Sequence, residues 1–140
     1  MKPAGGYETV EHTADLALRV WAPDLRGLIE QAARGMLDLM LDEHPAAAER
    51  REVVASGPDA EEMLVDSLRE VLALLNIRGA IPVSIDAVQV EADRVRLVVG
   101  ATQFDTGRHA LVQEIKAVTY HGLEVVQTEE GLAVTVVFDV

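Results

Sequence analysis

The chain of 140 residues contains no cysteine. That excludes disulfides, thiolate metal sites and cysteine nucleophiles together, and it fits a reducing compartment. Aromatic residues are scarce, at one Trp, two Tyr and two Phe, so the core must be built from Leu, Val, Ile, Ala and Met. Positive charge is scarce too. Twelve Lys and Arg face 24 Asp and Glu, for a net charge of −12. Nucleic-acid binders usually carry a basic footprint. A chain of this sign should repel phosphate, so tight binding of RNA by this protein alone is not expected. A partner protein with a basic surface, or a metal cation, fits the sign better, although acidity also simply keeps a protein in solution. No stretch approaches the roughly eighteen apolar residues of a membrane span. The start, Met1-Lys2-Pro3-Ala4-Gly5-Gly6, has no apolar run of the secretory kind. These absences lead to the expectation of a cytoplasmic protein without membrane association. Neither GxxxxGK[ST] nor GxGxxG occurs, so no Gly-rich phosphate loop is present.

What is there is ordinary for a globular domain: 49% apolar and 26% charged residues, which excludes a disordered chain. The length suits one domain over residues 1–140, burying roughly two-thirds of its unfolded surface. Tyr7 to Glu11 alternates like a short strand. His12-Thr13-Ala14-Asp15 interrupts it, and Leu16 to Ala22 resumes. Pro23-Asp24 stops that strand, with Asp24 as a helix N-cap. Leu25, Leu28, Ile29, Ala32, Ala33, Met36, Leu37 and Met40 then form the stripe of an amphipathic helix over 25–41. Glu52 to Ala55 reads as a strand behind the charged Glu49-Arg50-Arg51. Asp59 with Glu62 has capping-box spacing, and a second helix follows to Asn76, its stripe Leu64, Leu68, Val71, Leu72 and Leu75, with Gly79 as its stop. The remainder is β-rich: strands over 82–91 and 94–102, a loop over 103–109, a strand over 114–121, another over 123–127, a turn at Thr128-Glu129-Glu130-Gly131 and a final strand to Val140. In the strand over 82–91 the inward set is Val83, Ile85, Ala87 or Val88, and Val90. Hairpin-joined strands with two early helices predict an α+β fold, two amphipathic helices packed on one face of a largely antiparallel or mixed β-sheet.

Chemistry concentrates in Glu114-Ile115-Lys116-Ala117-Val118-Thr119-Tyr120-His121. Strand alternation puts Glu114, Lys116, Val118 and Tyr120 on one face and Ile115, Ala117, Thr119 and His121 on the other. Two thinly apolar faces make either an edge strand with a solvated face or a surface that another molecule touches. Tyr120 and His121 could act as acid and base with Glu114 orienting His121, but alternation separates Glu114 from His121. Arg108-His109 could bind an anion beside Lys116. His44, next to Pro45, reads as exposed linker. If the last strand lies beside the first, Asp15, Asp139 and the terminal carboxylate of Val140 meet. Three oxygen donors suit a hard cation such as Ca²⁺, Mg²⁺ or Mn²⁺. The bland alternative is that Asp139 is a solvated chain end and Asp15 caps a turn.

Three segments taken together, His12-Thr13-Ala14-Asp15, Arg108-His109 with Glu114 to His121, and Phe138-Asp139-Val140, resemble the archease family, in order and over essentially the whole chain. Ser67 stands where that family commonly has tryptophan, and Arg69 where it commonly has asparagine. The resemblance implies a protein cofactor rather than an enzyme. Its partner would be the GTP-dependent RNA ligase that joins a cyclic-phosphate or 3′-phosphate end to a 5′-hydroxyl in tRNA splicing and RNA repair. The cofactor promotes guanylylation of the ligase's active-site histidine and sustains multiple turnover, touching RNA only indirectly. The metal site it implies is Asp15, Asp139 and the terminal carboxylate of Val140, holding Ca²⁺ in the family, with Mg²⁺ or Mn²⁺ as alternatives. His12, Glu114, Lys116, Tyr120 and His121 would support that site. Other classes are a chaperone or general nucleic-acid-associated factor, and a metal-dependent hydrolase using Asp15 and His121. No oligomeric state follows from the sequence.

Overall fold

The structure is a computed structural model that describes residues 5–10 and 15–140. Two strands, β1 (Gly6–Val10) and β2 (Leu16–Ala22), lead into helix α1 (Leu25–Met40). Strand β3 (Glu49–Ser56) and helix α2 (Ala60–Asn76) follow, then the long hairpin β4 (Ala80–Glu91) and β5 (Arg94–Gln103). A helical turn α3 (Phe104–Gly107), a 3₁₀ turn (Arg108–Ala110), and strands β6 (Ala117–Val118), β7 (Val126–Thr128) and β8 (Gly131–Asp139) complete the order.

Both long helices begin where the sequence supplies a cap. The Asp24 carboxylate accepts from the Gly27 N–H at 2.8 Å, and the Asp59 carboxylate from the Glu62 N–H at 2.8 Å. Each satisfies an amide that has no partner inside its own helix. The α1 stripe is buried as its spacing requires, with Leu25 half-buried at its start. On α2 the buried face is wider than the stripe. Met63, Val65, Ser67 and Leu74 are buried as well, because α2 meets β3, β4, β6 and α1 rather than one surface.

The strands divide into two antiparallel sheets. The larger has the order β1-β2-β8-β6, with β7 also on β8, and the smaller has the order β3-β5-β4. α1 touches β2 of one sheet and β4 of the other, so the apolar core is shared between the sheets. The close approach of α1 to the larger sheet depends on Gly35. A Cβ there would sit 2.2 Å from Leu18 Cδ2 and 3.0 Å from the Tyr7 ring. Gly131, at φ +136°, makes the tight entry to β8, where a Cβ would lie 2.3 Å from the Ala22 carbonyl oxygen.

Two local expectations are corrected, and one open alternative is decided. Register shifts between Pro82 and Ser84 and between Ile85 and Ala87 turn β4, so Val88 is buried and Ala87 exposed. The segment expected as loop over 103–109 instead ends β5 at Gln103 and is helical from Phe104 to Ala110. The strand expected over 114–121 shrinks to Ala117–Val118. Ile115 and Val118, three apart, are both buried, a spacing that continuous alternation forbids.

Candidate functional site

Strand β8 is central to the larger sheet, and its end determines the geometry. β2 pairs with it from Ala22 opposite Leu132 to Leu16 opposite Phe138. Asp15 precedes Leu16 and Asp139 follows Phe138. The two aspartates therefore come next in register, facing one another across neighbouring strands. Directly opposed residues have Cβ atoms about 5 Å apart. Leu18, Val136 and Phe138 are buried in the core, and Asp139, the last residue of β8, alternates onto the other face, where Ala17 and Val137 are also buried; Asp15 lies in a bend just before β2. Asp139 and Val140 are exposed.

On the other side of β8, Ala117 pairs with Asp139 and Val118 with Phe138. The Lys116 N–H donates to the Asp139 carbonyl at 2.8 Å, and the Thr119 N–H and Oγ1 both donate to the Val137 carbonyl, at 3.0 and 2.9 Å. The same register brings Lys116 alongside Val140. Thus Asp15, Asp139, Val140 and Lys116 share one end of the sheet. His12 lies outside the described residues, together with Thr13 and Ala14. Among the described residues no three His, Asp or Glu side chains converge as a metal cluster. The acidic end offers two side-chain carboxylates, and a further protein ligand would come from the main chain. This donor set is all oxygen, which suits a hard cation.

The rest of the eight-residue motif is held by α2. The Tyr120 hydroxyl donates to Glu62 Oε2 at 2.9 Å, and the Arg69 guanidinium lies 4.9 Å from the Tyr120 ring centroid. Arg69 also donates to the Tyr120 oxygen and the Val118 carbonyl, each at 3.4 Å. Glu61 Oε2 accepts from the Val125 N–H at 2.9 Å. Partial desolvation, and next the Glu62 carboxylate, push the Tyr120 phenol above its ordinary range. Tyr120 is therefore a protonated donor near neutral pH, which does not favour its use as a base. The His121 N–H donates to Thr119 Oγ1 at 3.2 Å. Glu114 is exposed, and its carbonyl accepts from Gln113 Nε2.

Glu61, Glu62 and Arg69 were not legible as supports of the motif, since Glu62 reads as a capping residue and α2 lies some fifty residues away. Ser67, fully buried, donates to the Met63 carbonyl at 2.7 Å, so it presents nothing to a partner. His44 is not a bare linker residue. Its Nδ1 lies 2.9 Å from the Val83 carbonyl and its Nε2 2.7 Å from Asp38, whose other oxygen accepts from the Tyr7 hydroxyl. His109 borders a small cavity with Asp42 and Glu43, acidic company that does not suit an anion.

The family model described as the Archease protein family (MTH1598/TM1083) matches residues 7–140. The protein archease of Methanopyrus kandleri is 35% identical over 129 residues, covering 89% of this chain and 91% of its own. That of Methanosarcina acetivorans is 32% identical over 139 residues, covering 96% and 95%. The solution structure of Methanobacterium thermoautotrophicum protein 1598 superposes with a TM-score of 0.76 at 25% identity, covering 96% of this chain and 99% of that one. An archease from Thermotoga maritima, described as a possible chaperone, has the same fold at a TM-score of 0.69 and 22% identity, covering 95% and 96%.

Proposed function

The chain belongs to the archease family, and from that premise we propose that it is a protein cofactor of a GTP-dependent RNA ligase, promoting the ligase's guanylylation through a divalent cation held at the acidic end of the larger sheet. The observation that supports the proposal is the β2–β8 register, which ends with Leu16 opposite Phe138, the residues next to Asp15 and Asp139. Asp15, Asp139 and the terminal carboxylate of Val140 would hold the ion, Ca²⁺, Mg²⁺ or Mn²⁺. A bound divalent cation supplies a concentrated positive charge that neutralises the carboxylates and attracts phosphate oxygens. The protein's own part is to hold the carboxylates in place. Asp139 pairs with Ala117 of β6, and its carbonyl accepts from the Lys116 amide. Lys116 would add an ammonium at the same end. The net charge of −12 suits a partner that holds RNA on a basic surface. The protein itself would meet RNA only through that partner.

The test is multiple-turnover ligation and guanylylation by the cognate ligase, with GTP and Mn²⁺, in the presence of wild-type protein or Asp15→Ala. Asp15→Ala should abolish activation while retaining the native circular dichroism spectrum. Activation by Asp15→Ala at wild-type rates would sink the proposal. Suppression of aggregation of unrelated clients that survives Asp15→Ala would point to a chaperone instead. Turnover of cyclic-phosphate RNA without ligase would point to a hydrolase.

A further inference from the structure

The outer face of the larger sheet is not flat. An open groove of about 540 Å³ runs over it, its walls including Glu8, Arg19, Glu124, Val126, Ala133 and Thr135. The floor is partly apolar, and Val126 stays 41% exposed. Cross-strand register relates the groove to the acidic pair. Glu8 faces Arg19, and Arg19 faces Thr135. Thr135 and Asp139 are four residues apart on β8, an even number, so both project from the face that carries Arg19. The separation along the strand is about 13 Å. The face thus carries Glu8, Glu124 and Asp139 against the guanidinium of Arg19, with Asp15 just before β2. An apolar floor with an acidic rim is complementary to a chain segment bearing Lys or Arg, whose alkyl stems cover the floor while the charged heads meet the carboxylates. It repels a phosphate backbone and offers little to a second copy of so acidic a chain.

We propose that this groove seats a basic, extended segment of the ligase, a segment that leads from the groove to the Asp15–Asp139 end about four residues away. The proposal rests on the ligase partnership above and adds to it a docking surface distinct from the metal ligands. Affinity then comes from the groove, and activation from the acidic end.

The experiment compares wild type, Glu8→Lys/Glu124→Lys and Glu8→Gln/Glu124→Gln, using the full chain and its cognate ligase in calorimetric titrations at low and high salt. Both glutamates are exposed, and thermal melts check that each variant is folded. Wild-type affinity should fall with salt. The Lys pair should weaken binding about tenfold or more at low salt and flatten the salt dependence, with the Gln pair between. Ca²⁺ binding by the isolated variants should match wild type. Wild-type ligase affinity for the Lys pair overturns the proposal. So does a wild-type dimer that the Lys pair dissociates, or RNA binding that the Lys pair tightens while ligase affinity stays unchanged. If Asp15→Ala abolishes activation while the Lys pair binds normally, only the groove assignment falls. If wild-type protein binds no ligase at either salt, both proposals fall.

Discussion

Replacing Asp139 with asparagine should change stability in opposite directions with and without a divalent cation. The side chain keeps its shape and loses its charge. In chelator, the carboxylates of Asp15 and Asp139 come next beyond the Leu16–Phe138 pair of β2 and β8, where continued register sets their Cβ atoms about 5 Å apart. Their repulsion is about 0.8 kcal/mol in a fully aqueous dielectric and larger where the protein excludes water. Asp139 is exposed, so a value of about 1 kcal/mol is appropriate. Asp139→Asn should therefore raise the melting temperature in chelator by about 3 °C, given the entropy of unfolding for a chain of this size. With Ca²⁺ at a hundred times its dissociation constant, wild type gains about 2.7 kcal/mol from binding, or about 8 °C. The variant has lost a charged ligand and should gain little. The order of the two melting temperatures then reverses. Scanning calorimetry at low ionic strength, in chelator and then across a Ca²⁺ or Mn²⁺ series, reads both arms. A variant that melts below wild type in chelator, or that responds to Ca²⁺ as fully as wild type, would refute the idea that this carboxylate pair is a cation site.

Gly35→Ala should destabilise by about 1–3 kcal/mol in urea titrations, because a Cβ would strike Leu18 Cδ2 and the Tyr7 ring and the cost exceeds the gain in helix propensity; a more stable variant would mean that α1 does not pack as closely as described. Asp59→Ala removes the acceptor for the Glu62 amide and should cost about 1 kcal/mol in the same assay, and no loss would mean that the cap contributes nothing. Desolvation, then the hydrogen bond to Asp38, push the Tyr7 phenol up from 10.0 to about 12, and Tyr120 shifts the same way. The raised folded-state value means that this contribution is fully present below pH 10 and is lost as pH rises through about 12. Tyrosinate absorbance should therefore lag that of the unfolded chain, and Tyr7→Phe should remove the Tyr7 part of the alkaline loss of stability.

Much of this architecture is legible from local rules. Asp24 and Asp59 cap their helices because a short carboxylate before an apolar stripe has one good use there. The strand Leu16–Ala22 has the expected bounds because one face alternates cleanly. The last strand lies beside β2 rather than beside β1, with Leu16 opposite Phe138, the neighbours of Asp15 and Asp139. What failed did so where tertiary contacts override period. In β4 alternation leaves Ala87 or Val88 open, the register shifts decide for Val88, and bulges leave no trace in composition. From Glu114 to His121 the chain alternates on paper, yet it spends its hydrogen bonds on β8 at Lys116 and Thr119 and its side chains on α2. A strand pattern therefore overstated a two-residue pairing. The division into two sheets and the Tyr7–Asp38–His44 chain depend on which elements meet in space, and no spacing in the sequence encodes that.

The position of β8 between β2 and β6 bears on how the molecule is made. β8 follows the other described strands in chain order yet fills a middle place in the larger sheet, so that sheet cannot close before Gly131–Asp139 is available. β3, α2, β4 and β5 emerge earlier and can pair among themselves, because the smaller sheet needs nothing beyond Gln103. Assembly should thus proceed from the smaller sheet outward, with long-range pairing at its slowest final step. Asp139 takes its place beside Ala117 only when that step is done.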